Sequence, residues 1–243
     1  MQVYIITSAK FEECYIEEWV KYHLNMEFDK IIINDNNPKD YPYNPKDILK
    51  QYIDNGQIIV ERYYDTHQLQ HNIQEPELTN IYTWLYNKYK NEFDWCAKLD
   101  IDEYLEIPET NNDIKKFLSQ SKFNNTLSIL IPWKVYNIKN EYSYQYTRLK
   151  HNKDRFEINK EQEYWYYSFK SIIKNDNNIV RIGNHFACIN NESNKIYYTY
   201  VDGKKADIID YLNNGKIWTM AHNGEYCKYY VIYVILIIMQ IEV

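Results

Sequence analysis

The chain reads as an α/β protein, a Rossmann-like, mostly parallel mixed sheet flanked by helices. Three observations predict this. Short β-branched runs alternate with helical periodicity through the first hundred residues, which is the pattern of parallel strands joined by crossover helices. The 243 residues can bury one large core. An apolar run at 95–99 empties into a cluster of acids, and open α/β sheets bind their ligands beyond the carboxyl ends of their strands.

The elements follow in order. Residues 3–7 form a β-branched strand, and 12–26 a helix whose apolar members include Tyr15, Ile16, Trp19, Val20 and Leu24. Residues 30–34 form a second strand running into the turn formers Asp35, Asn36, Asn37 and Pro38. A helix near 47–53, the turn Asn55-Gly56 and a strand at 57–62 make a third unit. Residues 66–93 read as mostly helical, with Pro76 as a break or first-turn residue, and lead into the strand at 95–99. A helix at 113–118, a strand at 126–136 and two strands at 168–174 and 179–189 follow. The apolar run at 229–239 is too short for a membrane span, which needs about 20 residues. It reads as a buried strand or helix, with a peripheral anchor or an altered terminus as the alternatives.

Composition excludes some functions. A net charge of −6 provides no overall basic footprint for nucleic acid. Cys14, Cys96, Cys188 and Cys227 are scattered without zinc-ligand spacing, and they read as core thiols of a reducing compartment. The N-terminus reads as a core strand rather than a signal peptide. The expectation is therefore a cytoplasmic protein without a transmembrane span, with peripheral membrane contact left open.

The acidic cluster Asp100-Ile101-Asp102-Glu103 carries the chemistry. Residues two apart in an extended backbone share a face, and a hard cation such as Mg²⁺ or Mn²⁺ takes carboxylate oxygens, with a bound diphosphate supplying others. An isolated Asp-x-Asp is as often a solvated turn. Here the apolar lead-in and the trailing Tyr104-Leu105 argue for a buried junction, where a third acid is costly unless a cation lies nearby.

With these residues in view, the chain resembles the metal-dependent glycosyltransferases of the GT-A type, in their family-2-like and family-92-like group. The resemblance rests on Glu17-Glu18-Trp19 with Tyr22-His23 after the first strand, Asp35-Asn36 after the second, and Asp100-Ile101-Asp102-Glu103-Tyr104. Ile131-Pro132-Trp133, the run from Phe169 to Ile173 and His185 add to it, so that it covers roughly residues 1–190. The Asn-Glu pair that commonly follows the first strand in the group is replaced by Lys10-Phe11-Glu12, and its terminal His-Tyr pair by His222-Asn223.

The resemblance implies a GT-A fold, and the expectation is a single domain, 1–243, with a nucleotide-sugar half at 1–107, an acceptor half at 108–225 and an atypical apolar tail at 226–243. It implies a nucleotide-diphosphate sugar donor of the UDP or GDP type, a glycan or lipid-linked acceptor, and Mn²⁺ or Mg²⁺. Asp102 would bind the metal directly. Asp100 would reach the ribose or a metal-bound water, Glu103 would orient them, and His185 or His222 would complete the shell. Thr7, Ser8 and Asp35 would lie near the nucleoside, and Lys170 and Arg181 would offset diphosphate charge. An inverting reaction needs a carboxylate base, for which Asp154 and Glu157 are the candidates, with Glu161 and Glu163 nearby.

Two rival readings stand beside this one. Haloacid-dehalogenase-like phosphatases also end a strand with Asp-x-Asp, and Asp202 and Asp207 imitate their later acidic pair. The other is a remnant that binds a nucleotide sugar without turnover.

Overall fold

The computed structural model describes residues 1–63, 78–138, 156–158, 169–183, 185–189, 198–206 and 231–236. Strand β1 (Val3–Ala9) is followed by helix α1 (Ile16–Leu24), then β2 (Lys30–Asp35), two short helices α2 (Pro45–Ile48) and α3 (Lys50–Asp54), and β3 (Ile58–Glu61). Helix α4 (Leu78–Tyr89) leads to β4 (Trp95–Lys98), β5 (Glu103–Glu106) and α5 (Ile114–Leu118). The remaining strands are β6 (Ser128–Ile138), β7 (Phe156–Ile158), β8 (Phe169–Lys174), β9 (Ile179–Ile182), β10 (Ala187–Ile189), β11 (Tyr198–Tyr200) and β12 (Val231–Leu236).

The main sheet has the order β3-β2-β1-β4-β8-β6-β12-β5, with β7 and β11 also paired to β6. Its first four strands are parallel, with Tyr4 opposite Lys30 on one side and Cys96 on the other. Strand β8 then enters antiparallel to β4 and β6. This is the mixed, helix-flanked α/β sheet that the alternating pattern predicts.

Alternation along the strands creates two apolar layers. Val3, Ile5, Ile31, Ile33 and Ala97 pack with Ile16, Trp19 and Val20 of α1. Tyr4, Ile6, Ile32 and Cys96 pack with Ile81, Tyr82, Leu85 and Tyr86 of α4 on the opposite face.

Several boundaries differ from the sequence reading. The first helix begins at Ile16 rather than residue 12, because Phe11 takes a left-handed φ of 63° and the Glu12 carbonyl accepts from both Tyr15 N and Ile16 N. The helix expected at 47–53 is split in two, its first part opened by Pro45 and capped by the Asn44 side chain on Lys46 N at 2.9 Å. The strand expected at 179–189 is corrected to a hairpin, β9 and β10, which forms a separate two-stranded sheet. Its turn carries Gly183, where a Cβ would meet the Phe186 carbonyl at 2.9 Å. Of the helical reading at 66–93, the stretch before Leu78 lies outside the described residues. The apolar tail contributes β12, parallel to β6 and antiparallel to β5. Among the described residues no helix is long and apolar enough to cross a membrane.

Candidate active site

Strands β1, β2 and β4 run parallel, so their carboxyl ends share one edge of the sheet, the edge at which open α/β sheets bind their ligands. The acidic motif hangs from the end of β4. It folds back as a tight turn in which Glu103 N donates to the Asp100 carbonyl at 3.0 Å, while Asp100 N donates to the Glu103 carboxylate at 2.8 Å.

The cation beside these acids is supplied by the protein itself. Lys98, the last residue of β4, places its ammonium 2.5 Å from Asp100 Oδ1. Lys170, from the adjacent strand β8, pairs with Asp100 Oδ2 and lies 3.1 Å from Glu103 Oε1. Tyr82 donates to Asp100 Oδ1 at 3.2 Å, and its ring carries the Lys98 ammonium 4.5 Å from its centre. Lys98, Lys170 and Glu103 are each only 1% exposed, and with the partly exposed Asp100, whose side chain is 37% exposed, they form a quartet of two ammoniums and two acids.

The proton affinities follow from that packing. Burial pushes Asp100 up, but the two lysines outweigh it and hold the carboxyl well below its usual range. Burial drives Lys98 down to about 8 against the pull of Asp100, and pushes Glu103 up against the pull of Lys170. Lys170 loses to burial but gains more from Glu103 and Asp100, and ends above its usual value. Asp102 is different, since burial and then the Asp100 charge push it up to about 6.

Glu12 joins this site, and the sequence reading did not assign it. Burial, with the Asp102 and Asp100 charges adding to it and a hydrogen bond from Tyr15 opposing it, raises its carboxyl to about 7. Its Oε2 is buried without a hydrogen-bond partner. The signal was available, because an acid directly after the first strand of a parallel sheet falls at the ligand edge. Asp102 and Glu12 offer hard oxygens that fit Mg²⁺ or Mn²⁺, whereas both oxygens of Asp100 already accept from ammoniums. Among the described residues no group of three or more His, Cys, Asp or Glu is arranged to hold a metal alone, so a bound diphosphate would have to supply further oxygens.

On the other side of the motif, α1 grips β5. Trp19 Nε1 donates to the Glu103 carbonyl at 2.7 Å, Tyr22 Oη donates to the Leu105 carbonyl at 2.7 Å, and Leu105 N points at His23 Nε2 at 3.5 Å. His23 Nδ1 lies 3.0 Å from the Trp19 carbonyl, which sets the tautomer that leaves Nε2 as an acceptor. In an antiparallel pair alternate residues turn their polar groups toward the partner strand. Strand β5 meets β12 on one side, and the side chains of residues 19, 22 and 23, one face of a helix, serve the outward groups of Glu103 and Leu105. Trp19, Tyr22 and His23 thus act as a surrogate strand for the segment that carries the acids.

The residues expected near a nucleoside interlock. Ser8 accepts from Asn34 Nδ2 at 3.3 Å, and Asp35 accepts from Asn37 N at 3.1 Å, from Asn37 Nδ2 at 2.9 Å and from the Arg62 guanidinium. Asn37 Oδ1 in turn receives Phe11 N at 2.7 Å. Thr7 is fully buried and its hydroxyl has no partner. Arg62, at the end of β3, is a second residue the sequence reading passed over.

His185 donates from Nδ1 to the Phe169 carbonyl at 3.2 Å. Burial, with Lys170 and Lys98 nearby, lowers it to about 4 and keeps it neutral. Arg181 is exposed on β9. Glu157 lies on β7 opposite Asn137, while Asp154, Glu161, Glu163, Asp207 and His222 lie outside the described residues.

No family model matches the chain. No curated protein matches it either. Among solved structures it is similar to two crystal structures of TarS from S. aureus. The first, of residues 1–349, is 14% identical with a TM-score of 0.40 over 72% of this chain and 47% of that one. The second is 12% identical with a TM-score of 0.47 over 89% of this chain and 39% of that one. This chain thus spans less than half the length of either.

Proposed function

We propose that this chain is a glycosyltransferase of the GT-A type, transferring a sugar from a nucleotide-diphosphate donor, of the UDP or GDP type, to a glycan or lipid-linked acceptor. The observation that carries the reading is the pair Asp102 and Glu12 at the carboxyl edge of β4 and β1. Burial raises both carboxyls, to about 6 and about 7, with the Asp100 charge adding to it at Asp102 and the Asp102 and Asp100 charges at Glu12, whereas the lysines hold Asp100 well below its usual range. Carboxylates in that state favour a cation and the phosphates it brings.

Asp102, with Glu12 beside it, would hold Mn²⁺ or Mg²⁺. When bound, the cation stabilises the charge that develops on the departing diphosphate. Ser8 and the Asp35-Asn37-Arg62 cluster would line the nucleoside side, with Thr7 beneath them, and neutral His185 would stand at the lysine side of the shell. Asp154 and Glu157 remain the candidates for the base that takes the acceptor proton, and Asp154→Asn and Glu157→Gln would tell them apart. We place the activity in the cytoplasm, in surface-glycan assembly with peripheral contact at a membrane. A phosphatase of the haloacid-dehalogenase type would need Asp100 as nucleophile, and both oxygens of Asp100 are tied to ammoniums.

The test is release of nucleoside diphosphate from a panel of UDP- and GDP-sugars in MnCl₂. One donor class should be hydrolysed slowly without acceptor, and Asp102→Ala should abolish this. A folded protein that releases nothing from any donor would overturn the reading.

A further inference from the structure

We infer that Lys98 and Lys170 are positioning residues that divide the acidic motif, fixing Asp100 and Glu103 as a neutral floor and leaving Asp102 as the carboxylate presented to a ligand. The inference rests on the glycosyltransferase reading of the site, which it deepens.

The geometry supplies the argument. The lysines come from neighbouring strands, with Lys98 opposite Ser171 in the β4–β8 register, and their ammoniums take one oxygen each of Asp100. Their side chains are 2% and 1% exposed. Neither can swing toward a diphosphate without giving up its bond to Asp100, and Lys170 would also leave the buried Glu103 without its ammonium. Lys170 also binds Glu103 at 3.1 Å, whose other oxygen holds Asp100 N. One ammonium therefore fixes both the side chain of the first acid and the turn that presents the second. With this internal counter-charge the acidic turn is folded before any divalent cation arrives.

The test uses the full chain without nucleotide, measuring Tm in EDTA and in MnCl₂ for the wild type, Lys170→Met, Lys170→Arg and Lys98→Met. Methionine keeps the apolar stem and removes the charge. Lys170→Met should lower Tm in EDTA by roughly 10 °C, and MnCl₂ should restore at least half of that loss, a larger rise than in the wild type, because the cation replaces the missing ammonium. Lys98→Met should behave in the same way, and Lys170→Arg should stay within a few degrees of the wild type. If Lys170→Met does not fold, Lys170→Met/Glu103→Gln, which removes one charge of each sign, should fold. An unchanged Tm in both methionine variants, a loss that Mn²⁺ restores no better than in the wild type, or a double variant that fails to fold would overturn the inference. Because no nucleotide is present, failure of the glycosyltransferase reading would appear separately, as absent donor hydrolysis alongside these same Tm changes.

Discussion

The indole N–H of Trp19 donates to the main-chain carbonyl of Glu103 at 2.7 Å, tying the first helix to the turn that carries the acids. Trp19 is fully buried, so losing the donor leaves that carbonyl without a partner. Trp19→Phe should cost about 3 kcal/mol, from the unsatisfied acceptor and the lost ring volume together. Tyr22→Phe should cost about 1 kcal/mol. Urea denaturation measures both, and faster hydrogen exchange at the Leu105 amide in each variant would show that the loosened element is β5.

The two aspartates of the motif should respond differently. Asp100→Asn leaves Lys98 and Lys170 buried with one carboxylate fewer, and should cost about 3–5 kcal/mol. Asp102→Asn removes a carboxylate that burial and Asp100 both disfavour, and should leave stability unchanged or slightly raised. Denaturation of the two variants in EDTA checks the contrast, and equal losses would contradict it.

A pH profile tests Glu12. Its folded carboxyl is raised from 4.5 to about 7, so between those values the folded chain holds a proton that the unfolded chain has released. Stability from this group is therefore present below about pH 4.5 and lost as pH rises through 7. Asp102, raised from 3.8 to about 6, has the same sign, whereas neutral His185, lowered from 6.5 to about 4, has the opposite one. The difference between Glu12→Gln and the wild type isolates Glu12. The variant should be favoured at pH 8 relative to pH 5 by at most about 3 kcal/mol, read from thermal unfolding at the two pH values.

Phe11 offers a backbone test. Its φ of 63° lies where asparagine is tolerated and a bulky residue is strained. The ring is 40% exposed, with an edge contact to Tyr41 at 4.8 Å. Phe11→Asn should therefore raise stability by about 0.5–1 kcal/mol, as measured by urea denaturation.

These residues also show what the sequence made legible. Strands β1, β2 and β4 were readable because their apolar residues are contiguous and end at turn formers or acids, a local signal. The acidic motif was readable for the same reason. Lys170 was visible only as a lone lysine on a strand, since its pairing with Asp100 and Glu103 depends on β8 entering the sheet next to β4 across some 70 positions. Trp19 and His23 read as a motif, but their bonds to the β5 backbone span 84 and 82 positions, and no periodicity encodes them. The hairpin of β9 and β10 was missed because the run at 179–189 is β-prone on both sides of a glycine whose turn role follows from close backbone approach.

The most direct test of the central claim is a thermal-shift measurement of the full chain with UDP, GDP, CDP and TDP, each with and without MnCl₂, beside Asp102→Ala. The account predicts a Tm rise for UDP or GDP that requires Mn²⁺ and disappears in Asp102→Ala, whose fold in EDTA matches the wild type. No rise with any nucleotide, or a rise that Asp102→Ala retains in full, would contradict it.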